Sequence, residues 1–328
     1  MIRKPNEMKN ETKKVRFLLA GFPGIGKTTL ALSAPKPLLI DADRGIDRVK
    51  AQNRKDFTQP QTYEELLQDL KGDLSDYETI VIDTGGKLLD LMKAYVIKQD
   101  SKNGQKDGQT VSIKGYGALA KEWQRLTDLI YYTLNKHMVI IFHAKEDKDG
   151  EATKLRILVE GSTKDNVWQS MDIGGFMEMY NGKRTIGFDN CERYYAKGTH
   201  GIKGIRELPD IDDPSVPNDF LTKLFEQVNE NIKAEAEYFE EQNKAYKQVM
   251  DEVSPQIENM TSENVNEVME VLKNTKHVLT SEKELKHNFK QKIDNLGMKW
   301  NSDKRCYELK ENEVKDEPKE ISDNTIAA

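Results

Sequence analysis

Lys27 and Thr28 are the two residues here best suited to handling phosphate, and they stand side by side. They close the pattern Gly21-x-x-x-x-Gly26-Lys27-Thr28 within 15-VRFLLAGFPGIGKTTLAL-32, which is the spacing of a P-loop. Glycine at the curl lets the backbone approach phosphate oxygens without a Cβ in the way. Successive N–H groups then point into one concavity, and the helix that follows adds the positive end of its dipole. Lys27 is placed to reach the β- and γ-phosphates of a nucleotide, and the Thr28 hydroxyl to ligate Mg²⁺. The expected nucleotide contacts are Gly21, Gly24, Ile25, Gly26, Lys27, Thr28 and Thr29.

Three further polar residues end apolar runs. Asp83 follows Thr79-Ile-Val-Ile82, so it sits at the end of a buried strand. There it can serve Mg²⁺ directly or through water, or else cap the next helix. Asp43 follows Pro37-Leu-Leu-Ile-Asp41 and is the candidate catalytic carboxylate, orienting or deprotonating an attacking water. Asp41 competes with it, because residues two apart along a strand share a face. His143 closes Met138-Val-Ile-Ile-Phe142. It can contact a γ-phosphate and report its loss, or be a hydrogen-bonded structural histidine.

Elements with matching periods must position these residues. Val15–Ala20, 37–41, 79–84, 138–143 and 155–159 read as strands. Residues 61–71, a segment from about 85 and 117–136 read as helices, the last with Leu119, Trp123, Leu126 and Ile130 on one face. Residues 175–180 and 183–188 flank Asn181-Gly182, a strong hairpin turn, and 193–197 suggests one more strand. Alternating strands and helices imply a mainly parallel sheet with helices on both faces, an α/β class, which binds ligands at the carboxyl ends of its strands. Residues 99–116 and 144–153 read as polar loops.

The expected organisation is a mobile basic arm (1–14), an ATPase-type core (15–208), a linker (209–217, PDIDDPSVP), and a helical extension (218–295) with one long helix over 218–252. A small aromatic module (296–310) and a disordered tail (311–328) follow. Residues 226–270 hold twelve acidic and three basic residues, whereas the first 225 are slightly basic. The acidity therefore marks a separate module and does not exclude nucleic acid as a partner of the core. No apolar run approaches the roughly 18 residues of a membrane helix. The first residues lack an apolar signal segment, so a cytoplasmic location is expected. The two cysteines and five histidines show no metal-ligand spacing. Residues 181–206 interleave Lys183, Arg184, Arg193, Lys197, Lys203 and Arg206 with Phe188, Tyr194 and Tyr195. That composition suits single-stranded nucleic acid, or a solvated hairpin whose aromatics are core.

In the order GFPGIGKTT, LLIDADRGIDRV, TIVIDTGG and VIIFHAKE, the chain resembles the RecA/Rad51-like ATPase core. It is most similar to small phage-encoded nucleotide-binding proteins of the P-loop AAA type, linked to single-strand annealing and recombination. The resemblance covers about residues 15–206. It implies a RecA-like fold, ATP and Mg²⁺ as cofactors, and a DNA-stimulated ATPase, in the bacterial host cytoplasm if phage-encoded. It assigns Asp43 to the catalytic acid position, where the family has glutamate, Asp83 to the Walker B acid and His143 to a sensor usually occupied by glutamine. Residues 99–116 and 144–156 become the two DNA-facing loops. Lys102, Lys106, Lys114, Lys183, Arg184 and Arg193 are the candidate DNA contacts. Single-stranded DNA, a single-strand-binding protein met through the extension, and a second copy of the chain are the implied partners. The alternatives are a nucleotide-switched interaction protein with little catalysis and, behind it, a P-loop kinase.

Overall fold

The middles of the central strands, residues 17–20, 38–40, 80–82 and 138–142, are apolar and buried throughout because both of their faces are covered. A computed structural model describes residues 12–149, 152–159 and 163–310. The expected basic arm to residue 11, Glu151 and the tail from 311 lie outside these. In chain order come β1 (Arg16–Gly21), α1 (Lys27–Ala31), β2 (Pro37–Asp41), β3 (Phe57–Thr58), α2 (Tyr63–Asp69), β4 (Thr79–Asp83), α3 (Gly85–Gln99) and α4 (Ile113–Asp128). These are followed by β5 (His137–Asp149), β6 (Ala152–Ile157), α5 (Thr163–Gln169), β7 (Ile173–Tyr180), β8 (Lys183–Gly187) and β9 (Ile205–Glu207). They form one sheet in the order β3-β2-β4-β5-β1-β7-β8-β9, with β6 paired to β5. The pairs from β3 to β7 are parallel, and β5–β6, β7–β8 and β8–β9 are antiparallel. This is the mostly parallel, helix-flanked sheet of a RecA-like P-loop fold.

Alternation along each strand divides the core in two. Leu18, Ile40, Ile80, Ile82, Ile140 and Phe142 meet α2, α3, α4 and α5 on one face. Phe17, Leu19, Leu39, Val81, Val139 and Ile141 meet α1 on the other. The second face is completed from far along the chain, by Leu221, Leu224, Phe225 and Val228 at the start of α6 (Phe220–Glu258). His137 joins this packing as a neutral base. Its Nδ1 accepts the Val15 N–H at 3.0 Å, its ring stacks on Phe225 at 4.8 Å, and burial drives its pKa down to about 4.

Five expectations change. Residues 144–153 are largely not a loop: β5 runs on through Asp149 and pairs antiparallel with β6, since a charged strand is stable once its backbone is paired. Residues 193–197 make only isolated bridges, Tyr194 to Leu155 and Lys197 to Gly174. The third helix starts four residues early, at Ile113, because Ser112 caps it by accepting the Gly115 N–H. The 99–112 segment is structured, with a turn at Ser101–Asn103 and a bridge from Gly104 to Val111. Most consequentially, 209–217 is no linker between domains. Ile211 packs on Gly26, Asn218 Nδ2 donates to Thr29 O at 2.9 Å, and Leu221 N donates to Ser33 Oγ at 2.9 Å. Among the described residues one compact unit runs to Ala234 and the next begins at Glu235, inside α6. The short strands β3 and β9 and the helix α5 carried too few periodic residues to be read from sequence.

The second unit has its own core. Val253 and Ile257 of α6, Val265, Val268 and Leu272 of α7 (Val265–Asn274), and Leu285, Phe289 and Ile293 of α8 (Ser281–Asn295) pack together. The expected aromatic module is a hairpin of β10 (Met298–Asn301) and β11 (Cys306–Leu309). Asn266 pins it by accepting the Tyr307 N–H at 2.8 Å and donating to the Tyr307 carbonyl at 3.2 Å.

If the start of α6 completes the first core, Phe225→Ala should lower the unfolding free energy by about 3–5 kcal/mol. A chain ended after Pro217 should fail to fold. Urea unfolding followed by circular dichroism checks both, and a stable, cooperative chain ending at Pro217 would contradict this packing.

Candidate functional site

The P-loop closes between β1 and α1. Gly24 and Gly26 take φ of 78° and 97°, values that favour glycine. Gly21 is needed for a different reason: a Cβ there would stand 2.9 Å from Met177 O of the neighbouring β7. α1 begins at Lys27 with Leu30 N bonded to Gly26 O at 3.0 Å. This leaves the loop's N–H groups at the mouth of the helix.

Parallel registers bring the polar strand ends to one rim. Gly21 lies level with His143, Asp41 with Asp83, and Asp83 with Ile141. Thr28 Oγ1 donates to Asp83 Oδ2 at 2.6 Å, and Lys27 Nζ donates to Phe22 O at 2.8 Å. Lys27 and Asp83 are each only 5% exposed. Burial is the main influence on both, lifting the Asp83 carboxyl to about 6 and lowering the Lys27 ammonium to about 8. Both groups therefore sit close to losing their charge, as expected of a site completed by a ligand of opposite charge to each.

The two aspartates after β2 part company. Asp41 is buried and spent on structure: its carboxylate accepts Gly45 N at 2.8 Å, Ile46 N at 3.1 Å and Gln59 Nε2 at 2.8 Å. Asp43 lies past the strand, with its N–H on Asp83 O at 3.0 Å and its carboxylate 3.5 Å from Arg48 Nη1. Its carboxylate is partly exposed to the rim that Asp41 has turned away from. His143 is half-buried and its Nδ1 has no hydrogen-bond partner among the described residues. Burial first and Lys27 second hold its pKa below the ordinary histidine value, so it is neutral at pH 7, with one ring nitrogen donating and one accepting.

These residues fit a magnesium nucleotide. Among the described residues no three His, Cys, Asp or Glu side chains cluster as a metal site. Mg²⁺ at a P-loop needs only one or two protein oxygens besides phosphate and water, and the Thr28–Asp83 pair supplies them. Residues 13–200, more than half of the chain, match a family of AAA domains. The chain belongs to that family. It is a nucleotide-binding, P-loop ATPase-like domain over this span. No curated protein matches the chain in sequence. Among solved structures the chain is similar to the flagellar accessory protein FlaH from Methanocaldococcus jannaschii, with a TM-score of 0.30 and 10% identity over 55% of this chain and 80% of FlaH.

Outside its P-loop rim, the AAA domain engages most of the basic residues expected to contact DNA. Lys114 pairs with Asp100 at 2.8 Å, Lys183 with Glu207 at 2.8 Å, and Arg193 lies 3.2 Å from Glu178. Arg184 pairs with Asp212 at 2.8 Å and reaches the surroundings of Gly26. Lys102 and Lys106 are exposed on the 99–112 segment. Of the aromatics, Phe188 and Tyr194 are core, and Tyr195 is 44% exposed. Sequence reasoning missed Ile211 on Gly26, as well as Lys87 and Lys145, which flank the rim beyond His143.

Nucleotide binding should follow these two displaced groups. Asp83 must be ionised to serve Mg²⁺, so affinity should fall as pH drops through about 6. Lys27 must be protonated to meet phosphate, so affinity should also fall as pH rises through about 8. Titration with a fluorescent ATP analogue should give a maximum between the two. Asp83→Asn should remove the acid limb and Lys27→Ala the alkaline one. Wild-type affinity in a folded Lys27→Ala protein would contradict the site.

Proposed function

We propose that this AAA domain hydrolyses ATP at the P-loop, with Asp43 as the residue that activates water, and that single-stranded DNA is the partner to which hydrolysis is coupled. The observation that carries the hydrolytic reading is the convergence of Lys27, Thr28, Asp83, Asp43 and His143 on one rim, with Asp41 occupied elsewhere. Lys27 exchanges its bond to Phe22 O for the β- and γ-phosphate oxygens. Thr28 and Asp83 would hold Mg²⁺, which would supply neutralisation of charge on those oxygens. Asp43 orients a water and takes up its proton as the water oxygen bonds to the γ-phosphorus. The bond to the β–γ bridging oxygen breaks and its electron pair leaves with ADP. Neutral His143 donates a hydrogen bond from its ring to a γ-phosphate oxygen and loses it when phosphate departs.

The DNA partner is supported by the resemblance to recombination and annealing ATPases and by two placements. β5 continues from His143 straight into the β5–β6 hairpin with exposed Lys145 and Lys148. Lys102 and Lys106 stand exposed on the 99–112 segment. A change at His143 on phosphate loss would be transmitted along one continuous strand, as switch segments respond elsewhere.

Steady-state turnover with and without an oligo-dT strand tests both parts. Asp43→Asn should lower turnover by about 10²–10⁴-fold while leaving ATP affinity nearly unchanged. Asp41→Asn should act chiefly on stability, because it weakens the turn at Gly45–Ile46. Full turnover in Asp43→Asn removes the assignment of the base, and turnover indifferent to oligo-dT removes the partner.

A further inference from the structure

Beyond the γ-phosphate end of the P-loop lies a cleft of ≈ 600 Å³, of whose lining the hydrolytic steps use only Asp43 and His143. Its inner edge is Asp43 and His143, so it opens from the reacting end of the nucleotide site. Its lining also includes aliphatic side chains: Leu158 and Val159 after β6 offer exposed surface, whereas Leu89 of α3 and Leu119 of α4 are almost wholly buried behind it. Lys87 on the first turn of α3 and Lys145 on β5 stand exposed at its mouth, and Lys93 lines it while paired to Asp90 at 3.2 Å.

The volume suits a ligand of nucleotide size. Two lysines at the mouth and the opening turn of a fifteen-residue helix at Gly86 favour an anion there. The exposed aliphatic surface of Leu158, with Val159 beside it, favours contact with a less polar part of the same ligand. Gly86 keeps the wall low, since a Cβ there would meet nothing nearer than 3.8 Å and a longer side chain would project from the wall.

We infer that this cleft binds a second phosphorylated ligand of nucleotide size, its phosphate on Lys87 and Lys145 and its less polar part on Leu158 and Val159, beside the γ-phosphate of ATP. The inference rests on the proposed P-loop function, because the cleft is defined by sharing Asp43 and His143 with it. The same chemistry is offered by a free mononucleotide and by one unit of a single strand. In either case the ligand lies against the two residues that contact water and γ-phosphate, which gives it direct influence on hydrolysis.

The full chain is first saturated with a non-hydrolysable ATP analogue and Mg²⁺, which fills the P-loop. It is then titrated with dTMP and, separately, with oligo-dT, by calorimetry. Binding of either is expected, and the probe that binds identifies the source. Lys87→Glu with Lys145→Glu should weaken it by about tenfold or more, the loss expected for charge-assisted hydrogen bonds to phosphate. Affinity for the ATP analogue should remain within about twofold, since neither lysine belongs to the P-loop. Gly86→Leu, which fills the cleft and leaves its charge unchanged, should weaken the same probe. If the analogue itself does not bind, the P-loop reading has failed. If the analogue binds and neither probe does, the cleft inference is overturned. It is likewise overturned if the probe is displaced by excess analogue, or if both the lysine and the Gly86 variants bind it as wild type does.

Discussion

A buried ammonium and a buried carboxylate, Lys27 and Asp83, meet the same rim without forming a pair with each other. Lys27 donates to a backbone carbonyl of its own loop, and Asp83 accepts from Thr28. Each is held in a state less favourable to its charge than water would be. That arrangement is costly unless something arrives to compensate it, and a magnesium nucleotide compensates both, with phosphate for the lysine and the cation for the carboxylate. The sheet's role is to hold the two groups close together while keeping them apart from water.

The order of strands is what achieves this. β5 is inserted between β1 and β4, so the P-loop strand and the Asp83 strand are not neighbours. His143 consequently stands level with Gly21 and two residues beyond the level of Asp83. Asp43 reaches the same rim from β2 only because Asp41 folds the chain back, through its bonds to Gly45 and Ile46. One aspartate builds the turn and the other is presented by it.

The first unit also draws on residues C-terminal to its sheet. Ile211 lies on the P-loop, Arg184 and Lys50 both engage Asp212, and the first turns of α6 close the core beneath α1. The nucleotide site is therefore supported from both ends of the sequence of this unit. Its stability and its phosphate loop share the same contacts around Ser33 and Thr29.

Sequence alone determined the P-loop, the strands that end in Asp41 and Asp83, the apolar run that leads into His143, the apolar face of α4, and the Asn181-Gly182 hairpin. Each of these is encoded locally, by a glycine spacing, an apolar run ended by a polar residue, or a turn that needs positive φ at both positions. That Asp41 is the carboxylate spent on local structure needed the fold. The two share a strand-end pattern, and only the backbone N–H groups of Gly45 and Ile46 reveal which carboxylate is already satisfied. The charged strands of the β5–β6 hairpin were hidden because backbone pairing, unlike side-chain period, leaves no mark on composition. The acidic partners of Lys114, Lys183, Arg184 and Arg193 lie 14 to 28 residues away or on facing strands, so a count of basic residues could not tell an engaged cation from an available one. The extent of the first unit was likewise a tertiary decision. Prolines and aspartates at 209–217 look like a boundary in sequence, yet the apolar face that sheet and α1 leave open can be closed only by the residues beyond it.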